Sequence, residues 1–93
     1  MPKKIANQNP MRVDSAVFIR TVTHYYTGRI IQIDPDVLVL ADAAWIGDTG
    51  RFHIALRDGS ISEVEPFAHP VAISRSAIVD CTHWPHALPR AAK

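Results

Sequence analysis

Arginine is the residue type in this chain best suited to chemistry, and its placement is uneven. Between Met11 and Cys81 stand six arginines and no lysine: Arg12, Arg20, Arg29, Arg51, Arg57 and Arg75. A guanidinium is planar, permanently charged and forked. It grips phosphate through two N–H groups and stacks on flat rings, which an ammonium does less well. Arg29 follows Tyr25-Tyr26, and Arg51 follows Trp45 and adjoins Phe52. Phosphate joined to a flat base is a ligand type that suits arginines mixed with aromatic rings. Arg29 and Arg51 are therefore the leading phosphate-binding candidates, with Tyr26 and Trp45 as ring-stacking candidates. Arg20 and Arg75 come next, as strand and turn arginines able to reach the same cleft from another chain. Arg51 also falls in the first turn of an expected helix, where a cation opposes the dipole unless an anion or acid offsets it. The competing reading is structural. In it Tyr25, Trp45 and Phe52 are core, and the arginines pair with Asp34, Asp42, Asp48, Asp58, Glu63 and Glu65.

Other chemistry has less support. The chain lacks a Gly-x-Ser-x-Gly elbow, a phosphate-binding Gly-rich loop and a His-Glu-x-x-His helix. Among five histidines, the closest pair, His83-x-x-His86, brackets Trp84-Pro85, and tetrahedral zinc would need ligands from elsewhere. We expect no metal. Asp42 with His24 or His53 makes an acid–base pair only if the fold joins them. Cys81 ends an apolar strand and reads as a buried, inert thiol. No catalytic residue and no cofactor is assigned, and the expectation is a non-enzymatic protein.

Composition sets the frame. The chain has 93 residues, ten Lys and Arg against nine Asp and Glu, 47% hydrophobic residues and 20% charged ones. It is long enough for one domain and too balanced in charge for a basic nucleic-acid binder. With no recognition-helix pattern either, duplex DNA is not the expected partner. A single cysteine excludes an intrachain disulfide and a Cys-based zinc site. No apolar run approaches the ~20 residues that span a bilayer, and the N-terminus lacks the apolar stretch of a signal peptide. A cytoplasmic protein without membrane contact is expected.

The elements that must position these side chains follow. Pro2 to Pro10 is polar and reads as a flexible arm (residues 1–10). Residues 11–82 read as one small domain, and 83–93 as an irregular tail from which Trp84 can dock. Ala16 to Ile33 is dense in β-branched and aromatic residues, and Asp34-Pro35-Asp36 breaks it into a hairpin with Val37–Leu40. Gly28 fits the inside of a strand, at a bulge or close approach, better than a Thr27-Gly28 turn. Asp48 or Thr49 can cap a short helix with Phe52, Ala55 and Leu56 on its apolar stripe and Gly59 at its end. Val71–Ile73 and Ala77–Val79 are short strands. The order strand, strand, helix, strand, strand predicts a small β-rich α+β domain, an antiparallel sheet with one short helix. A core of roughly 70 residues without disulfide or metal is marginal, so a homo-oligomer is expected.

Arg20-Thr21, Gly28 in a strand, Leu40-Ala41-Asp42-Ala43-Ala44-Trp45-Ile46, Ala55-Leu56 with Gly59, and Glu65-Pro66 together resemble a family of small phage and bacterial proteins. The resemblance covers about 50 residues in order and spacing. The chain departs from it at Ala44, where the family tends to carry Arg, so any ligand contact made by that Arg must be made otherwise here. The family implies a phage or prophage setting and brings no established activity. By size and composition the chain is also similar to phage sponges, which sequester the nucleotide signals of bacterial defence systems such as CBASS and Thoeris. That analogy implies a cyclic nucleotide or an ADP-ribose-type ligand. A structural or assembly role in a phage is the alternative, and a nucleotide-cleaving enzyme the third reading.

Overall fold

The computed structural model describes residues 8–93. Six strands and one helix follow in the order β1 (Ala16–Thr21), β2 (Tyr25–Ile33), β3 (Val37–Asp48), α1 (Phe52–Asp58), β4 (Glu63–Pro66), β5 (Val71–Ser74) and β6 (Ile78–His83). A single turn of 3-10 helix, Arg75–Ala77, separates β5 from β6. All pairings are antiparallel, with the sheet running β4-β3-β2-β1-β6 and β5 also on β3. The small β-rich domain with one short helix is as expected. The arm expected over residues 1–10 lies mostly outside the described residues. Within its described end, Asn9 accepts the Met11 N–H at 3.0 Å.

The Ala16–Ile33 run, expected as one strand, is two, because a side-chain-closed turn interrupts it. Val22-Thr23-His24 forms the first turn, closed by Thr21 Oγ1, which accepts the His24 N–H at 2.9 Å and donates to the His24 carbonyl at 2.8 Å. Gly28 therefore lies inside β2, opposite Val17. A Cβ there would stand 3.0 Å from Leu40 Cβ and 3.2 Å from Ala43 Cβ, so β3 approaches this backbone closely and a side chain would press on it. The Asp34–Asp36 hairpin forms, with the Asp34 N–H donating to the Val37 carbonyl at 2.9 Å.

The second strand is far longer than Val37–Leu40. β3 runs for twelve residues and serves two neighbours, β5 along Val37–Leu40 and β4 along Ala44–Asp48. Ala41-Asp42-Ala43-Ala44 lacks strand propensity, and tertiary pairing overrides that weakness. Four bulges bend the sheet. The register shifts place one extra residue at Asp42 and at Gly47 in β3, at Ile31 in β2 and at Val79 in β6. Asp42 takes a left-handed φ of 52°. Because β5 lies on β3 and β6 on β1, with only three residues between them, the sheet must curl until its flanks nearly meet. The Arg75 N–H to Asp36 carbonyl bond (2.9 Å) and the Val22 N–H to Ala77 carbonyl bond (3.1 Å) hold that closure.

Each face has its own core. Inside the curl Val17, Ile19, Ile30, Leu38, Leu40, Ala43 and Ile73 are buried, with Met11, Phe67 and Cys81 packed against them. The other face buries Phe18, Ala44, Ile46, Ile61, Val64 and Trp84. There α1 contributes Ala55 and Leu56. Its start is Arg51, without a side-chain cap, rather than Asp48 or Thr49, because Asp48 Oδ1 instead accepts the Gly50 N–H at 2.8 Å. Gly59 ends it in the left-handed conformation, φ 77°, as its type requires. After His83 the chain has no regular structure, yet it is tied down. Trp84 stacks on Phe18 at 5.8 Å and donates its indole N–H to the Ala87 carbonyl. Arg90 reaches the carbonyls of Ala43 (2.7 Å) and Phe67 (3.0 Å). Lys93 exchanges both backbone bonds with Val64 on the outer edge of β4.

Candidate anion-binding site

Most arginines meet a partner within the chain. Arg20 is in ion-pair contact with Asp80 and lies over the Phe52 ring, 5.3 Å from its centroid. That carboxylate raises the Arg20 pKa, and the guanidinium holds the Asp80 carboxyl below the ordinary aspartate range. Arg29 stands 3.7 Å from Asp14 and 3.5 Å from Asp42. Arg57 pairs with its neighbour Asp58 at 2.9 Å. Arg75 donates to the Asp34 carbonyl at 2.9 Å and faces Met11 Sδ at 3.9 Å. Of the expected acidic partners, Asp42 meets Arg29 and Asp58 meets Arg57; Arg20 pairs instead with Asp80, Arg29 also with Asp14, and Arg75 bonds a backbone carbonyl.

Arg51 and Arg12 are both exposed and stand in none of the ion pairs among the described residues, and Arg51 lines a cleft. The loop before Arg51 is rigidly built. Gly50 takes φ 70°, Thr49 Oγ1 donates to the Gly50 carbonyl at 2.8 Å, and the Ser62 N–H donates to the Asp48 carbonyl at 3.0 Å. These bonds draw the β3–α1 loop against the segment leading into β4. Between them opens a cleft of about 440 Å³, lined by Thr49, Gly50, Arg51, Ile54, Ser60, Ile61, Ser62 and Lys93. Its size lies within the ordinary range for small-molecule sites. Two cations, the hydroxyls of Ser60 and Ser62 and a partly apolar floor line one volume, while the Thr49 hydroxyl is already committed to the Gly50 carbonyl.

The sequence candidates thus divide. Arg51 lines the cleft. Tyr26 and Trp45 are brought together as cross-strand partners, but on the opposite face of the sheet from α1. Arg20, Arg29 and Arg75 are committed elsewhere. Lys93, Ser60, Ser62 and Thr49 were not singled out by sequence. Lys93 stands 42 positions after Arg51 and joins it only through the backbone bridge to Val64.

Known protein families, curated proteins and solved structures yield no match to this chain. The site's own chemistry is what remains to read. Among the described residues no three His, Cys, Asp or Glu side chains are grouped to hold a metal ion. His86 Nε2 is engaged with the Leu56 carbonyl at 2.7 Å, and its ring packs on Trp84. Cys81 is half-buried, and burial and the Asp80 charge push its pKa up to about 11. No helix is long and apolar enough to cross a membrane among the described residues.

Proposed function

We propose that this chain binds a small phosphate-bearing molecule in the Arg51–Lys93 cleft and holds it without turnover. The observation that carries the reading is the position of Arg51. Arg20, Arg29, Arg57 and Arg75 are satisfied internally, whereas Arg51 lines an open cleft together with Lys93. An unpaired guanidinium beside hydroxyl donors suits a phosphoryl oxygen. The cleft contains no aromatic ring, so one chain offers a phosphate grip without a base-stacking surface. Sequestration of a nucleotide signal, in a phage setting, is the narrower form of this proposal. It needs a second subunit to supply the ring surface.

Thermal shift against inorganic phosphate, pyrophosphate, a ribose phosphate and a cyclic dinucleotide tests it. At least one should raise the melting temperature, and Arg51→Ala should lose the rise while keeping the parent's own melting temperature. A lost charge-assisted bond costs about 1.5–3 kcal/mol, or roughly ten- to a hundredfold in affinity. Ligand recovered intact after denaturation supports sequestration, and altered ligand would point to an enzyme. If no anion shifts the parent, the cleft reading fails. An assembly role then leads, supported by Val22 and Val79, which are 73% and 59% exposed at the β1–β6 end of the sheet.

A further inference from the structure

The sheet face opposite α1 carries a second constellation. Tyr26 and Trp45 are directly opposite on β2 and β3, so their rings share that face. The His24 ring centroid lies 5.3 Å from that of Trp45, and Phe67 stacks on Tyr26 at 6.1 Å. Tyr26, Trp45 and Phe67 are half-buried, and His24 is exposed. Two exposed carboxylates border these rings. Glu65 stands opposite Trp45 on β4, and Glu63, two residues earlier, points the same way. Glu63 Oε2 and Trp45 Cζ3 converge within 3 Å of the point where a side chain on Gly47 would begin. Glycine at this bulge therefore leaves room for the carboxylate and the ring side by side. Neither Glu63 nor Glu65 has an ion-pair partner among the described residues.

A ring face beside an unpaired carboxylate attracts an organic cation. The chain holds an occupied version of this arrangement: Arg20 lies over Phe52 while pairing with Asp80. We propose that the Trp45–Glu63–Glu65 patch receives an arginine side chain from a partner polypeptide. Guanidinium fits better than ammonium because the surface is a sheet face of half-buried rings, not a cage. A planar cation can lie on the indole while its N–H fork reaches a carboxylate. Strand addition is not the mode, because Lys93 already occupies the outer edge of β4 at Val64. This proposal is independent of the anion cleft, which has the opposite charge and lies on the other face.

The test is a titration of the full chain with a short Gly-Arg-Gly-Arg-Gly peptide, following both tryptophan indole N–H resonances by NMR. Trp45 should move and the buried Trp84 should not. The same peptide with citrulline should have no effect, and a lysine peptide should bind more weakly. Glu63→Gln with Glu65→Gln should weaken binding by about tenfold or more, since charge assistance is lost. Trp45→Phe, which keeps a ring, should retain part of the response if the double variant is unstable. Equal response to citrulline, equal affinity of lysine and arginine, or unchanged binding in a folded double variant would each overturn the proposal.

Discussion

Thr27 shows how little a fold of this size can spare. Its side chain is fully buried opposite Phe18 and Ala44, and Oγ1 has no hydrogen-bond partner among the described residues. An unsatisfied buried hydroxyl costs about 1–3 kcal/mol. Thr27→Val keeps the shape and the strand propensity, so the melting temperature should rise by about 4–8 °C, roughly 1 kcal/mol in a domain of this length. A fall would show that the hydroxyl has a role. Gly28→Ala should act in the opposite sense. Its methyl would enter fully packed space against Leu40 and Ala43, and overpacking costs about 1–3 kcal/mol. Chemical denaturation of the two variants beside the parent measures both signs. Cys81 gives a third prediction. With its pKa raised to about 11, little thiolate exists near neutrality. Alkylation by iodoacetamide at about pH 8 should be much slower than for a free cysteine, and should quicken as pH approaches the raised value. A rate equal to that of free cysteine would show that burial does not protect the thiol.

At the scale of elements, the bulges explain what composition leaves unexplained. Two of the exposed large apolar side chains, Ile31 and Val79, stand at bulge positions, where the extra residue has no cross-strand partner. Their exposure follows from bending the sheet. The C-terminal segment matters as much as any strand. Trp84 and Leu88 join the second core cluster, and Arg90 and Lys93 tie the end of the chain to β3, Phe67 and β4. Removing residues 87–93 should lower the melting temperature by more than 4–8 °C, since more than about 1 kcal/mol of packing and hydrogen bonding is lost. It should also open the Arg51 cleft, which Lys93 helps to line. A truncated chain with the parent's stability would show that the tail is only loosely placed. Asp80 adds a pH dependence. Its carboxyl titrates below the ordinary aspartate value because of Arg20. The pair's contribution to stability is present above the unfolded-state value and is lost as pH falls through the folded-state one. Asp80→Asn should flatten the acid limb of a stability profile.

For the whole molecule, the curl of the sheet sets what is available to others. Pairing of β5 on β3 and β6 on β1, with one turn between them, curls the inner face around its core and leaves the outer one to α1 and the C-terminal segment. Accessible surface includes a cleft beside α1, the aromatic patch beside β4 at the open end of the inner face, and the apolar pair Val22 and Val79 near the β1–β6 end. If that apolar pair is a subunit contact, light scattering should give a mass above 10.3 kDa at micromolar concentration, and Val22→Glu with Val79→Glu should return it to that value. A mass at the single-chain value across a dilution series would reject self-association.

Sequence alone determined the class of fold and its local punctuation. β-branched density marked the Ala16–Ile33 run as strand without its turn at Val22–His24, Asp34-Pro35-Asp36 marked the hairpin, and Gly59 marked the end of α1, because these signals act within a few residues. It also supplied the list from which the site was drawn, with Arg51, Tyr26 and Trp45 on it. Only the tertiary structure decided which of these residues are free. Arg20 and Asp80 are 60 positions apart, Arg29 meets Asp14 across a turn, and Lys93 reaches the Arg51 cleft through an edge-strand bridge. Such pairings depend on register, and register is set by bulges at Ile31, Asp42, Gly47 and Val79. A bulge arises from the closure of the whole sheet and leaves only a weak trace in the order of residues: a glycine, an aspartate, two ordinary aliphatic side chains.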